Sequence, residues 1–156
     1  MIPKTIHQIW IGDQDKRPKI LMDTWKGNHP NWDYKLWTEK EIEELELLNL
    51  NKFEIHPMLS GKADIARYEI LFKFGGFFID ADSISIKPLD DLLKDKIVTV
   101  YESERFRNGL LANGYIGCEP GSRFMFEMMN HVRKVDDKKI LSLHAWQTTG
   151  PLPFTK

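Results

Sequence analysis

A chain of 156 residues that is 42% apolar is long and apolar enough for one globular domain, and its 23 acids against 22 bases exclude the basic surplus of a nucleic-acid binder. The single cysteine, Cys118, excludes an internal disulfide and a cysteine-rich metal site. With no charged-then-apolar leader and no apolar run of membrane-spanning length, the expectation is one cytoplasmic domain over residues 1–156, compatible with peripheral contact at a membrane.

Residues 2–11 are mostly apolar and β-branched, end at Gly12, and predict a central strand. Pro18 suits the start of a helix carrying Ile20, Leu21 and Trp25, which stops by Gly27. Residues 32–37 alternate as a second strand. Thr38 and Glu41 then form a capping box for a helix over 39–48. Residues 49–57 read as a connection, and Ser60 as the cap of a helix over 61–74 that stops at Gly75.

The run Phe77-Phe78-Ile79 predicts a short buried strand ending at Asp80-Ala81-Asp82. Residues 83–87 alternate as a further strand, Leu89, Leu92 and Leu93 suggest a short helix, and 97–101 is a strand. Residues 102–109 are loop-like, 112–118 form a strand, and 122–135 form a helix with Met125, Met128, Met129 and Val132 inward. Residues 136–139 read as a solvated turn and 146–151 as a loop. Strands alternating with helices point to an α/β sandwich with a mostly parallel central sheet.

Two acids at the end of a buried strand need a cation, a donor or water. Spaced two apart on a regular strand, Asp80 and Asp82 would stand roughly 6.5 Å apart. A bend after Asp80 lets them converge on one hard divalent ion, which takes carboxylates, water and phosphate oxygens. The pair reads as half of a metal–diphosphate site; the alternative is two surface acids capping a turn. Asp64 and Arg67 share one face of the preceding helix. In so apolar a segment they need partners, and both groups suit the vicinal hydroxyls of a sugar. The alternative is an ordinary surface ion pair. His7 reads as a satisfied core histidine, His144 as a surface or core residue with an approach to the metal as the alternative, and Asn113 as either facing the site beside the acceptor or part of an Asn-Gly turn.

Taken jointly, Ile2-Pro3-Lys4-Thr5-Ile6-His7-Gln8-Ile9-Trp10, Ala63-Asp64-Ile65-Ala66-Arg67-Tyr68, Gly75-Gly76 and Asp80-Ala81-Asp82 resemble the DxD-containing sugar-binding glycosyltransferases, family 32 and its relatives. Pro88-Leu89 and Thr149-Gly150-Pro151 extend the resemblance over most of the chain. It implies a Rossmann-like GT-A fold, a nucleoside-diphosphate sugar donor, a glycan or lipid-linked acceptor, a divalent metal (Mn2+ or Mg2+) and retention of anomeric configuration. Asp80 and Asp82 would hold the metal and the donor diphosphate, and Asp64 and Arg67 the donor sugar. The first strand from Ile6 to Trp10, Ile9 included, would border the nucleotide base or ribose, with Trp10 either stacking or core.

Two departures stand out: Phe78 replaces the family's frequent tyrosine, and relatives usually continue beyond Thr-Gly-Pro, so a C-terminal extension is expected to be missing. Competing readings are a non-catalytic nucleotide-sugar-binding module and a haloacid-dehalogenase-type phosphatase. The latter expects Gly-Thr where Ser83-Ile84 stands.

Overall fold

The computed structural model describes residues 1–103 and 105–156. Five strands, β1 (Thr5–Ile9), β2 (Asp33–Trp37), β3 (Gly76–Ile79), β4 (Ile97–Ser103) and β5 (Arg107–Cys118), form one sheet in the order β2-β1-β3-β5-β4. The sheet is mixed. β1 runs parallel to both β2 and β3, which is the parallel part expected, while β5 runs antiparallel to β3 and β4.

Both faces of the sheet are covered. On one lie α4 (Leu59–Phe74) and α5 (Arg123–Lys134), where Ile65, Tyr68, Leu71, Met125 and Val132 pack on Phe78 and Ile116. On the other, α1 (Lys19–Asn28) brings Trp25 against Ile6, Phe77 and Ile79. The odd and even residues of β3 thus enter different cores, which explains why its sequence is apolar without interruption.

The turn between α4 and β3 admits only glycine. Gly75 and Gly76 have φ of 62° and 93°, and a Cβ on them would come within 2.6 Å of Pro120 and 2.7 Å of the Thr5 carbonyl oxygen. This hairpin-like reversal makes α4 antiparallel to β3. Ten residues of helix from Asp64 to Phe74 rise about 15 Å. Four residues of strand from Gly76 to Asp80 rise about 13 Å. Asp64 and Arg67 therefore return to the height of Asp80, although 13 or more positions precede it.

Several elements differ from the sequence expectations. The helix after the capping box, α2 (Glu39–Glu44), ends early because Glu46 turns left-handed at φ 55°. The supposed connection 49–57 contains α3 (Leu50–Ile55), whose entrance is anchored by the Glu69 carboxylate accepting from the backbone N–H groups of Leu48 and Asn49 at 2.7 and 2.8 Å. Met58, not Ser60, occupies the N-cap of α4. Residues 83–87 form no strand. The Ser85 backbone bonds to Thr24 and Asn28 of α1 instead, turning Ile84 and Ile86 outward.

The loop expected over 102–109 is the hairpin end of β4 and β5, apart from Glu104, which lies outside the described residues. The turn at 136–139 begins α6 (Asp137–Ser142), capped by the Asp136 side chain. The terminal loop holds α7 (Ala145–Thr148) and α8 (Pro151–Thr155), which place Phe154 in the core.

Candidate active site

The parallel strands β1 and β3 deliver their carboxyl ends, Trp10 and Asp80, to the same edge of the sheet, where α/β folds bind ligands. A cavity of about 880 Å³ opens there. Ile9, Trp10, Asp64, Arg67, Asp80, Asp82 and Asn113 all line it, so the residues singled out from sequence converge.

Arg67 is the hub. Its Nη2 lies 3.2 Å from Asp64 Oδ1 and 3.4 Å from Asp80 Oδ1, and its Nη1 donates to the Asn113 backbone carbonyl. Its guanidinium stands 4.3 Å from the Phe78 ring centre, a cation–π contact that gives the residue replacing tyrosine a role of its own. Burial alone would lower the Arg67 pKa. The Asp80 and Asp64 carboxylates outweigh that and raise it, so the group is a fixed cation.

Asp64 is buried at 5% exposure, accepts from Asn113 Nδ2 (2.8 Å) and Thr149 Oγ1 (3.0 Å), and is ion-paired with Arg67. Burial pushes its carboxyl up to about 6, against the downward pull of Arg67, Asn113 and Thr149. Asn113 is not merely a turn residue: it lies within β5, buried, with its amide also donating to Tyr68 Oη at 3.1 Å.

Asp80 lies at the open side of this cluster, its side chain 43% exposed. Gly114 permits its position, since a Cβ there would fall 2.0 Å from Asp80 Oδ2. The Asp80 backbone carbonyl accepts from Gln8 Nε2 (3.2 Å) and Ser83 Oγ (2.6 Å). Gln8 is held in turn by Tyr34 Oη (2.6 Å), and Ser83 by Trp25 Nε1 (3.2 Å). Sequence reasoning missed this clamp and the part played by Thr149. A glutamine within the mostly apolar run of residues 2–11 was the available signal for the clamp, and the structure buries it fully.

Trp10 is half-buried, its Nε1 donating to the Asp13 carbonyl at 2.9 Å. His7 is a core residue as expected. It accepts from Trp37 Nε1 at 3.1 Å, so its other nitrogen donates to the Gly75 carbonyl at 2.9 Å. His144 is exposed at the cavity mouth.

Residues 15–99 match the family described as "Glycosyltransferase sugar-binding region containing DXD motif", more than half of the chain. The chain belongs to this family. This glycosyltransferase-family chain is 26% identical to "Inositol phosphoceramide mannosyltransferase 3" of Schizosaccharomyces pombe, over 94% of this chain and 46% of that protein. It is 32% identical to "Uncharacterized glycosyltransferase L373" of Acanthamoeba polyphaga mimivirus, over 77% of this chain and 51% of that protein. The chain thus spans about half the length of the curated relatives it matches. Among solved structures, "PaToxG Glycosyltransferase" superposes with a TM-score of 0.74 at 18% identity, covering 99% of this chain and 68% of that one. That likeness bears out the glycosyltransferase α/β fold.

Among the described residues no helix is long and apolar enough to cross a membrane. Nor do three His, Cys, Asp or Glu side chains among them form a group able to hold a metal ion unaided.

Proposed function

We propose that the protein transfers a hexose from a nucleoside-diphosphate sugar to an acceptor hydroxyl on a glycan or lipid-linked saccharide, with a divalent cation and with retention of configuration. The observation that carries this reading is the Arg67 hub, which joins a buried carboxylate, Asp64, to a half-exposed one, Asp80, across one cavity.

The donor set suits a hard cation. Asp80 and Asp82 offer carboxylate oxygens at the open side, and Mg2+ or Mn2+ binds through one or two carboxylates plus water and substrate phosphates rather than a full protein cage. A cation bound there supplies Lewis-acid neutralisation of charge on the departing diphosphate.

The chain's own groups do the rest. Asp64 and Arg67 orient the sugar so that the acceptor oxygen meets the anomeric carbon. Arg67, held cationic, stabilises negative charge as the bond from the anomeric carbon to the phosphate oxygen breaks. The acceptor hydroxyl forms the new bond on the same face and passes its proton to the departing phosphate. Ile9 and Trp10 wall the nucleotide end.

A thermal-shift screen of UDP- and GDP-hexoses with and without Mn2+ tests the reading, because a ligand of the folded state raises its melting temperature. Asp82→Asn is expected to abolish Mn2+-dependent transfer while leaving the fold intact. Normal turnover in that variant overturns the assignment.

A further inference from the structure

Thr149 is fully buried at the end of α7, 85 positions from Asp64. Its hydroxyl donates to Asp64 Oδ2 at 3.0 Å, its carbonyl accepts from Tyr68 Oη at 2.7 Å, and its N–H donates to the Ala145 carbonyl at 2.9 Å. An ionised carboxylate has about four acceptor sites. On Asp64, Asn113 takes one site at Oδ1, the Arg67 ion pair covers the rest of that oxygen at 3.2 Å, and Thr149 takes one site at Oδ2. One acceptor site is left, on Oδ2, and Asp64 lines the cavity. Gly150 keeps a side chain off the same oxygen, since a Cβ there would stand 3.1 Å from it.

We propose that Thr149 is a positioning residue that aims the one free acceptor site of Asp64 at a hydroxyl of the donor sugar. The Asn113 bond and the Arg67 ion pair at Oδ1 anchor one oxygen only. The terminal torsion of an aspartate is broad, so the plane of the carboxylate needs a second anchor. The Thr149 hydroxyl is that anchor, and the Tyr68 bond to its carbonyl holds the anchor in place. Thr149 does not touch the sugar. Because the pocket takes hydrogen-bond donors at this point, it favours a neutral hexose with a free hydroxyl over a sugar presenting a carboxylate there. The inference rests on the donor-site reading above.

The test uses the full chain with Mn2+ and measures Kd for GDP-mannose, UDP-glucose and UDP-galactose, and for GDP and UDP without sugar. Thr149→Val keeps the side-chain shape and removes the hydroxyl; Thr149→Ala replaces it if Val does not fold. The expected result is about tenfold weaker binding of the best nucleotide sugar, with the Kd of the matching nucleoside diphosphate within about twofold of wild type. Thr149→Ser, which keeps the hydroxyl, is expected to restore sugar affinity.

Equal weakening of both ligands, or no weakening of either, overturns the proposal and leaves Thr149 a structural tie. Asp64→Asn separates this failure from that of the parent reading. If it too leaves nucleotide-sugar affinity unchanged, Asp64 is not at the sugar and the donor-site reading falls. Absence of nucleotide-sugar binding by the wild-type chain overturns both.

Discussion

Asp64 and Asp82 are both carboxylates on the wall of one cavity, yet they are built in opposite ways. Asp64 is buried, accepts from two side chains, is ion-paired with a third and has its carboxyl pushed up to about 6. Asp82 is exposed and, among the described residues, takes part in no side-chain hydrogen bond or ion pair. Asp80 stands between, half-exposed, tied to Arg67 on one oxygen and pressed against Gly114 with the other. One end of the pocket is preorganised by the protein itself, and the other is left to solvent and ligand oxygens. Substitutions at the closed end should therefore cost stability and binding together, whereas those at the open end should cost binding alone.

The sharpest break is Arg67→Ala. It leaves Asp64 buried without its cation, so a loss of about 3–5 kcal/mol is expected in urea unfolding, with donor binding lost as well. Wild-type stability in this variant would mean that the closed end is not held by charge.

The acid response is the next test. Burial, offset by the Gly75 hydrogen bond, depresses the His7 pKa to about 4, so the unfolded chain binds a proton below about pH 6.5 that the folded chain refuses. This costs the fold up to about 3 kcal/mol as pH falls to 4. Asp64 runs the other way. Its raised pKa means that the folded chain takes up a proton near pH 6 while the unfolded chain waits until the ordinary carboxylate range, so stability rises over the same fall. Asp64→Asn removes this compensation, and its urea midpoint is expected to drop more steeply between pH 6.5 and 4 than that of wild type. Protonation of Asp64 also removes an acceptor, so donor affinity should decline below about pH 6.

Gly114→Ala drives a methyl into Asp80 Oδ2. About 1–3 kcal/mol of stability and most of the metal-dependent donor binding should go, read by melting temperature and by titration with Mn2+ present.

The smallest effects belong to the open side. Asp82→Asn and Ile86→Ser, the latter at a side chain 87% exposed, should each change stability by less than about 0.5 kcal/mol. Asp82→Asn alone is expected to lose activity. A large stability loss in Asp82→Asn would erase the contrast between the two ends.

Much of this was legible beforehand where the signal is local. The Gly75-Gly76 break, the apolar run of β3 and the 3-residue spacing of Asp64 and Arg67 each follow from backbone or helical geometry, and each is present. Several of the misses share one cause. Residues 83–87 have the alternation of a strand, but their backbone groups are taken by α1 side chains that no local pattern reveals. α3 begins where a carboxylate 20 positions later in the chain meets the backbone. Gln8 and Thr149 are ordinary polar residues until their partners, 72 and 85 positions away, are known.

The sequence by itself determined the family, the α/β alternation and the identity of the acids, because periodicity, turn chemistry and motif spacing are properties of neighbouring residues. Only the tertiary structure decided that Arg67 would stand between Asp64 and Asp80, that β5 would run antiparallel to bring Asn113 and Gly114 beside them, and that Thr149 would donate to the second oxygen of Asp64. Those relations depend on which long-range pairings satisfy buried charges and hydrogen bonds, and that is settled only when the whole chain has packed.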